Sequence, residues 1–407
     1  MPIRRLTAFQ VPIALRKPVR HASHLRTANE TLIIRCELED GSVGWGEGLP
    51  RPYVTGETIE TVRSHLTNTD FSPLTRTHFR DPAQVVDALD SLQLAAVSGP
   101  PAANTQEQTG AQTEIILREC FGNSVRCALE IALLDAVCRS VGISIGEFLG
   151  SLPEFQSIVE RRSEVFYSGA VTSMSASRQW ISAWKMRLFA FRHVKVKVGA
   201  EGIDDRDCVK RVRGIVGADV ILRLDANEAW RPEEVCRRME PLLPFSIASL
   251  EQPVPHAMVS SLKAVREQLG VPVMLDESLC CMEDAERAIT GQWCDLFNIR
   301  LSKCGGLIRS ARLALKAIEN GLSYQLGCQV GETGILSAAG RHFACTLTGY
   351  RFLEGSYDRF LVKDRLILED ITFRRGGRAP ALSGPGLGVT VDEEHVRRIA
   401  EAEIELI

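Results

Sequence analysis

The chain has twelve cysteines but no Cys-x-x-Cys pair, and only Cys280 and Cys281 are neighbours. That lack of pattern argues against a zinc ribbon or a disulfide framework and leads us to expect a reduced, cytoplasmic protein. An excess of charge of one sign is also missing. With 48 basic and 51 acidic residues, neither nucleic acid nor an anionic membrane is an expected partner. No run approaches the ~18 apolar residues of a membrane span. Residues 1–20 carry charges without an apolar core, so no secretory signal is expected. No Gly-x-Gly-x-x-Gly follows an early strand, which removes the usual mark of a doubly wound nucleotide-binding sheet. What remains is a globular, enzyme-sized chain of 407 residues, long enough for a barrel and an accessory domain.

Read in order, Ile3 to Glu47 gives two or three strands, with a hairpin from Thr31–Glu39 through Asp40-Gly41 into Ser42–Gly46. Between the first strands lies a basic stretch, Arg20-His21-Ala22-Ser23-His24-Leu25-Arg26, either an ordinary surface loop or one that closes over an anion. A helix is expected from Glu57 to Leu66. Val97–Gln112 is a polar, low-complexity linker or insert. Helical spacing runs from Asn123 to Leu149, with Ser124 placed to cap it. Strands first and helices after make an α+β domain over 1–155. From about Glu160 the texture becomes βα repeats. Strands are expected at Val165–Ala170, Val194–Val198, Val220–Asp225, Ile247–Glu251, Val273–Asp276, Leu296–Arg300, Tyr324–Gly327 and Tyr350–Glu354. A spacing of roughly 25 residues predicts a (β/α)₈ barrel over 156–370. The tail, 371–407, has a Gly/Pro-rich stretch, then a short helix begun by Asp392-Glu393-Glu394, and is expected to pack on the N-terminal domain.

The chemistry begins at His193-Val194-Lys195-Val196-Lys197-Val198. Period-2 alternation puts Lys195 and Lys197 on one face. Alone, that is as compatible with a solvated edge strand as with a reactive site. The next three strands change the balance, because they end in Asp225, Glu251 and Asp276, one βα unit apart. In a barrel, C-terminal strand ends share one mouth. Each acid by itself could be a helix N-cap. Three in register would repel one another, and a divalent cation resolves that; an oxygen-only set favours Mg²⁺, with Mn²⁺ as the alternative.

Lys195-x-Lys197, Asp225-x-Asn227, Glu251-Gln252-Pro253, Asp276-Glu277-Ser278 and Lys303-x-Gly305-Gly306, in this order, resemble the enolase superfamily, and within it the muconate lactonizing enzyme (muconate cycloisomerase) subgroup. The helix Ala128–Asp135 and the tail Pro385-Gly386-Leu387-Gly388 resemble that group as well. The resemblance implies a modified TIM barrel closed by an α+β cap built from the N-terminal segment and the tail. It implies Mg²⁺ on Asp225, Glu251 and Asp276, and a small-molecule carboxylate substrate. Lys197 would move the proton at the α-carbon, Lys195 would lower the pKa of that lysine and neutralise charge, and Asn227 would support the site. Relatives form symmetric oligomers, so a homo-oligomer is expected by analogy.

One position departs from the subgroup. Where a second lysine usually ends the sixth barrel strand, this chain has Arg300, while Lys303 lies beyond the strand on the other parity. Arginine is a fixed cation and a poor proton acceptor. A one-face reaction, cycloisomerisation or syn-elimination, is therefore expected over epimerisation of dipeptides or N-acyl amino acids. A non-catalytic carboxylate binder is the remaining alternative. Glu332 follows strand seven, where the lactonizing enzymes place a glutamate, and Glu354 ends strand eight without the Asp-x-Asp of dipeptide epimerases. His24, Arg51 and Tyr53 sit where the family's cap closes. Glu332, Glu354, Lys303, Asn227, His24 and Tyr53 are thus the expected substrate contacts.

Overall fold

A computed structural model describes residues 1–20, 25–97, 120–172 and 175–407. Of Val19, Arg20, Leu25 and Arg26 the backbone alone is described. His21, His24 and the expected linker at 98–112 lie outside the described residues.

Three antiparallel strands open the chain: β1 (Ile3–Arg20), β2 (Leu25–Leu38) and β3 (Val43–Gly48). The Asp40-Gly41 turn works because Gly41 takes φ 84°, a left-handed conformation a side chain would disfavour. Asp40 Oδ1 accepts the Ser42 N–H at 2.9 Å. On β3 every second residue is glycine, and this has a packing cause. A Cβ on Gly44, Gly46 or Gly48 would lie 2.0–2.1 Å from the backbone of Ala136, Ala128 or Ser124. The helix Asn123–Val141 therefore rests directly on the strand, backbone against backbone, and is buried along most of its length.

Ser124 does not cap this helix. Gly122 holds the N-cap position without a side-chain bond, and Ser124 instead gives its hydroxyl to Glu57 at 2.7 Å. The expected single helix to Leu149 is two, Asn123–Val141 and Ile145–Leu149, because Gly142 turns left-handed at φ 75°.

The first expected barrel strand also divides. β4 (Glu164–Phe166) pairs antiparallel with Arg378–Pro380, outside the barrel, and β5 (Gly169–Val171) alone enters the large sheet. The remaining strands stand within a residue or two of expectation: β6 (His193–Lys197), β7 (Ile221–Asp225), β8 (Ile247–Glu251), β9 (Val273–Leu275), β10 (Leu296–Ile299), β11 (Ser323–Leu326) and β12 (Tyr350–Leu353). They pair in parallel in chain order, with helices in the connections. The curl brings the two edges together, where the Ser168 N–H donates to the Leu353 carbonyl at 2.7 Å. This is a TIM-barrel arrangement, with the N-terminal sheet as a cap. From the tail, Ala402–Glu405 adds a fourth strand beside β1.

Four buried carboxylates join the layers by accepting backbone amides. Glu47 takes the Thr333 N–H (2.8 Å), the Thr333 hydroxyl (2.7 Å) and the Leu336 N–H (2.9 Å) at the start of the helix Gly334–Thr346. Glu57 takes the Ser124 N–H at 3.0 Å. Glu130 takes the Leu307 and Ile308 amides at the head of Leu307–Glu319. Asp135 takes Trp45 N–H at 3.0 Å and Leu387 N–H at 2.7 Å. The amides taken by Glu47, Glu57 and Glu130 are otherwise unpaired at a helix start, and an anion there is favoured by the helix dipole.

Candidate active site

Strand parity dictates what faces the barrel interior. On β6, Val194, Val196 and Val198 are buried outward against the helices, so Lys195 and Lys197 turn inward. Neither is an edge-strand lysine. Lys197 stands in register with Asp225, and Asp225 with Glu251.

Lys195 is enclosed by carboxylates: Glu354 Oε2 at 3.0 Å, Asp225 Oδ2 at 3.5 Å and Glu251 Oε1 at 3.5 Å. Burial pulls its pKa down, but Glu251, Glu354 and Asp225 together hold it above the ordinary lysine value. Lys197 donates to Asn227 Oδ1 at 2.7 Å and lies 3.9 Å from Asp225 Oδ2. Asn227, at φ 44° just past the strand, also donates its backbone N–H to Asp225 Oδ1 at 3.1 Å.

Across the barrel, Arg300 is ion-paired with Asp276 Oδ2. Gly327 makes room for it, since a Cβ there would lie 2.1 Å from Asn298 Oδ1 and 3.2 Å from Arg300 Cγ. Lys303 is fully buried, and its ammonium donates to Asp276 O (2.6 Å), Asp276 Oδ1 (2.9 Å) and Asn298 O (2.8 Å). With all three protons engaged, it anchors the β9 and β10 ends; burial keeps its pKa below the usual lysine range.

Glu354, expected to meet substrate, has both oxygens engaged, by Lys195 and by Arg223 Nη2 at 3.0 Å. Burial would raise its pKa, but these two cations hold it low. Glu332 accepts the Gln329 N–H at 2.5 Å, and burial with the nearby Glu47 pushes it up to about 8. Glu332 and Glu354 line a small pocket with Tyr167, Leu326 and Gly327. Tyr53 packs against Val54, Cys120, Cys280 and Cys281, just beyond β9.

Sequence reading missed Arg223, Gln325 and Asn298. Arg223 is wholly buried, paired with Glu354 and Gln325, and its guanidinium lies 4.5 Å over the Phe352 ring. Asn298 donates to Glu251 Oε1 at 2.8 Å. Parity was the available signal: Arg223 is two residues before Asp225, and Asn298 two before Arg300.

Asp225, Glu251 and Asp276 fit a hard divalent cation in kind, being oxygen donors on successive strands, and Glu251 Oε2 is buried without a hydrogen-bond partner among the described residues. Among the described residues no three acidic, His or Cys side chains stand together as a ready cage. Lys195, Arg300 and Lys303 instead hold the three carboxylates apart in ion pairs.

The family descriptions "Mandelate racemase / muconate lactonizing enzyme, N-terminal domain" and "Enolase C-terminal domain-like" match residues 3–150 and 176–395. The chain belongs to this enolase-superfamily family. The L-Ala-D/L-Glu epimerase of Bacillus subtilis (strain 168) is 27% identical over 403 residues, covering 96% of this chain and 97% of that protein. Two solved structures share the fold. A dipeptide epimerase from Cytophaga hutchinsonii, complexed with Mg and D-Ala-L-Val, has a TM-score of 0.82 at 21% identity, with 100% of both chains covered. The 2-chloromuconate cycloisomerase from Rhodococcus opacus 1CP has a TM-score of 0.81 at 23% identity, covering 99% of this chain and 100% of that one. The family's members here are isomerase-type enzymes, and this chain is an enzyme of that superfamily.

Proposed function

We propose that the protein moves a proton at the carbon next to a substrate carboxylate, on one face only, as a cycloisomerase or a syn-eliminating enzyme does. The observation carrying this reading is the pair Lys197 and Arg300. β6 and β10 are four strands apart in a curl of eight, so their ends face each other across the mouth. Of the three lysines, Lys197 keeps 17% of its side chain accessible, against 9% for Lys195 and 0% for Lys303. Lys197 takes or returns the proton, oriented by Asn227. Arg300 offers fixed positive charge on the far side and no base, since a guanidinium stays protonated at working pH. Lys195 adds positive charge beside the reacting carboxylate.

Asp225, Glu251 and Asp276 would hold Mg²⁺, the ion named with the Cytophaga epimerase. When bound it supplies charge that stabilises an enolate-like substrate. To accept it, these carboxylates would give up part of their contact with Lys195 and Arg300.

A second reading, epimerisation, is favoured by the Bacillus relative. The two separate in D₂O with Mg²⁺ and a library of dienedioates, N-succinyl amino acids and dipeptides. One-face chemistry exchanges the α-proton of one stereoisomer, and Lys197→Ala abolishes it, by about 10²–10⁴-fold. Exchange from both stereoisomers would establish epimerisation; exchange surviving in Lys197→Ala would reject the one-face reading.

A further inference from the structure

The seventh barrel strand does not run straight into its helix. After β11, Gln329-Val330-Gly331-Glu332 forms a turn closed by the Glu332 N–H, which donates to the Gln329 carbonyl at 3.2 Å. Gly331 takes φ 88° in the third place, where a type II turn needs a left-handed residue. Glu332 closes the turn a second time with its side chain, since Oε1 accepts the Gln329 N–H. The same glutamate lines the small pocket with Gly327 and Glu354. Burial raises its pKa, and Arg300 and Arg51 are the cations that draw it back down.

The cap grips this turn at one atom. The Val330 carbonyl, in the middle of the turn, accepts Asn29 Nδ2 from β2 at 3.0 Å and Arg51 Nη2 at 2.8 Å. Both side chains belong to buried residues, Arg51 at 3% and Asn29 at 2% exposure. Arg51 is itself fixed by its backbone. It precedes Pro52, which favours the extended conformation it adopts, and its carbonyl accepts the Val54 and Thr55 amides at 3.0 and 2.9 Å. Its guanidinium also reaches the Pro50 carbonyl at 3.2 Å. Gly331 is matched to the same contact, because a Cβ there would lie 1.6 Å from Asn29 Nδ2. A charged donor makes the stronger bond to a buried carbonyl, so Arg51 is the principal grip and Asn29 the lesser one.

We propose that Arg51 is a positioning residue for the reaction. With Asn29 it fixes the turn that carries Glu332 beside the mouth, so that seating the cap and placing that carboxyl are one event. The inference rests on the mouth being the site of proton transfer. Arg51 acts through Val330 and Glu332, at a site where a displacement of ~1 Å can cost up to about 10²-fold in rate.

The test uses the intact chain with Mg²⁺ and the same acid library, and reads amide hydrogen exchange of segment 327–333 together with the kinetics of α-proton exchange. Arg51→Met speeds amide exchange of that segment by about tenfold or more, while the β7 and β8 segments exchange as before. It lowers kcat for α-proton exchange by about tenfold with KM within about threefold. Arg51→Lys, which keeps one charged donor, recovers part of both. If Arg51→Met does not fold, Gly331→Ala, which displaces the Asn29 amide, gives the same two readings. Unchanged exchange of the segment, a loosened segment with unchanged kcat, or a rise in KM alone overturns the proposal; the last would make Arg51 a substrate contact. A wild-type chain that exchanges no acid in the library defeats the proton-transfer reading instead, and exchange of segment 327–333 then decides by itself whether Arg51 holds the turn.

Discussion

Two regions of this molecule bury carboxylates, and they neutralise them differently. Within the cap and at its junction with the barrel, Glu57 on one hand and Glu47 and Glu130 on the other accept amides and hydroxyls at helix starts. At the barrel mouth, Asp225, Glu251, Asp276 and Glu354 lie against Lys195, Arg300, Lys303 and Arg223. Backbone dipoles are fixed in place by the helices they belong to. Side-chain cations can be displaced by another cation or turned toward a substrate anion. The junction is therefore built to hold one geometry, while the mouth is built to exchange partners.

The largest effect expected is on reaction stereochemistry. Arg300→Lys adds a titratable group opposite Lys197, and α-proton exchange from the second face should rise by roughly tenfold or more, read by NMR with separated stereoisomers. Next comes Lys303→Met, which removes the cation beneath Asp276 and leaves a buried carboxylate and two carbonyls short of a donor. A loss of about 3–5 kcal/mol is expected in denaturant unfolding. At the junction, Glu130→Gln keeps the shape but loses one acceptor facing two amides, at about 1–3 kcal/mol by the same measurement.

The smallest effect separates the regions by sign. Burial pushes Glu47, Glu57 and Glu130 up to about 7, against the amides that hold them down. A raised folded-state pKa gives stability that is present below the unfolded value, near 4.5, and lost as pH rises to 7. Glu354 is the opposite case: its lowered pKa gives stability present above the unfolded value and lost as pH falls. Melting temperature against pH should therefore show Glu130→Gln flattening the decline between about pH 4.5 and 7. Glu354→Gln should weaken the acid-side loss instead. Slopes of the same sign in both variants would erase the contrast.

Much of the fold was legible because period-2 and βα spacing are local properties. The parity of Lys195 and Lys197, and the acids closing three successive strands, follow from residue order and the geometry of a strand. So does Arg300 in place of a lysine. What order could not decide is which charge meets which. Arg223 stands in an otherwise apolar strand, and β11 and the end of β12 bring Gln325 and Glu354 to it. Glu354, expected as a substrate contact, has Lys195 and Arg223 on its two oxygens, which its place in the sequence did not announce. Lys303 lay on the wrong parity for the mouth, and tertiary structure gave it a different task, below Asp276. The β3 glycines gave no sequence signal of their own; only the helix laid on them explains them. Spacing along the chain determined the strands and the face of each side chain. Ion pairing in a low-dielectric barrel depends on residues a hundred or more positions apart, so only the folded chain could decide it.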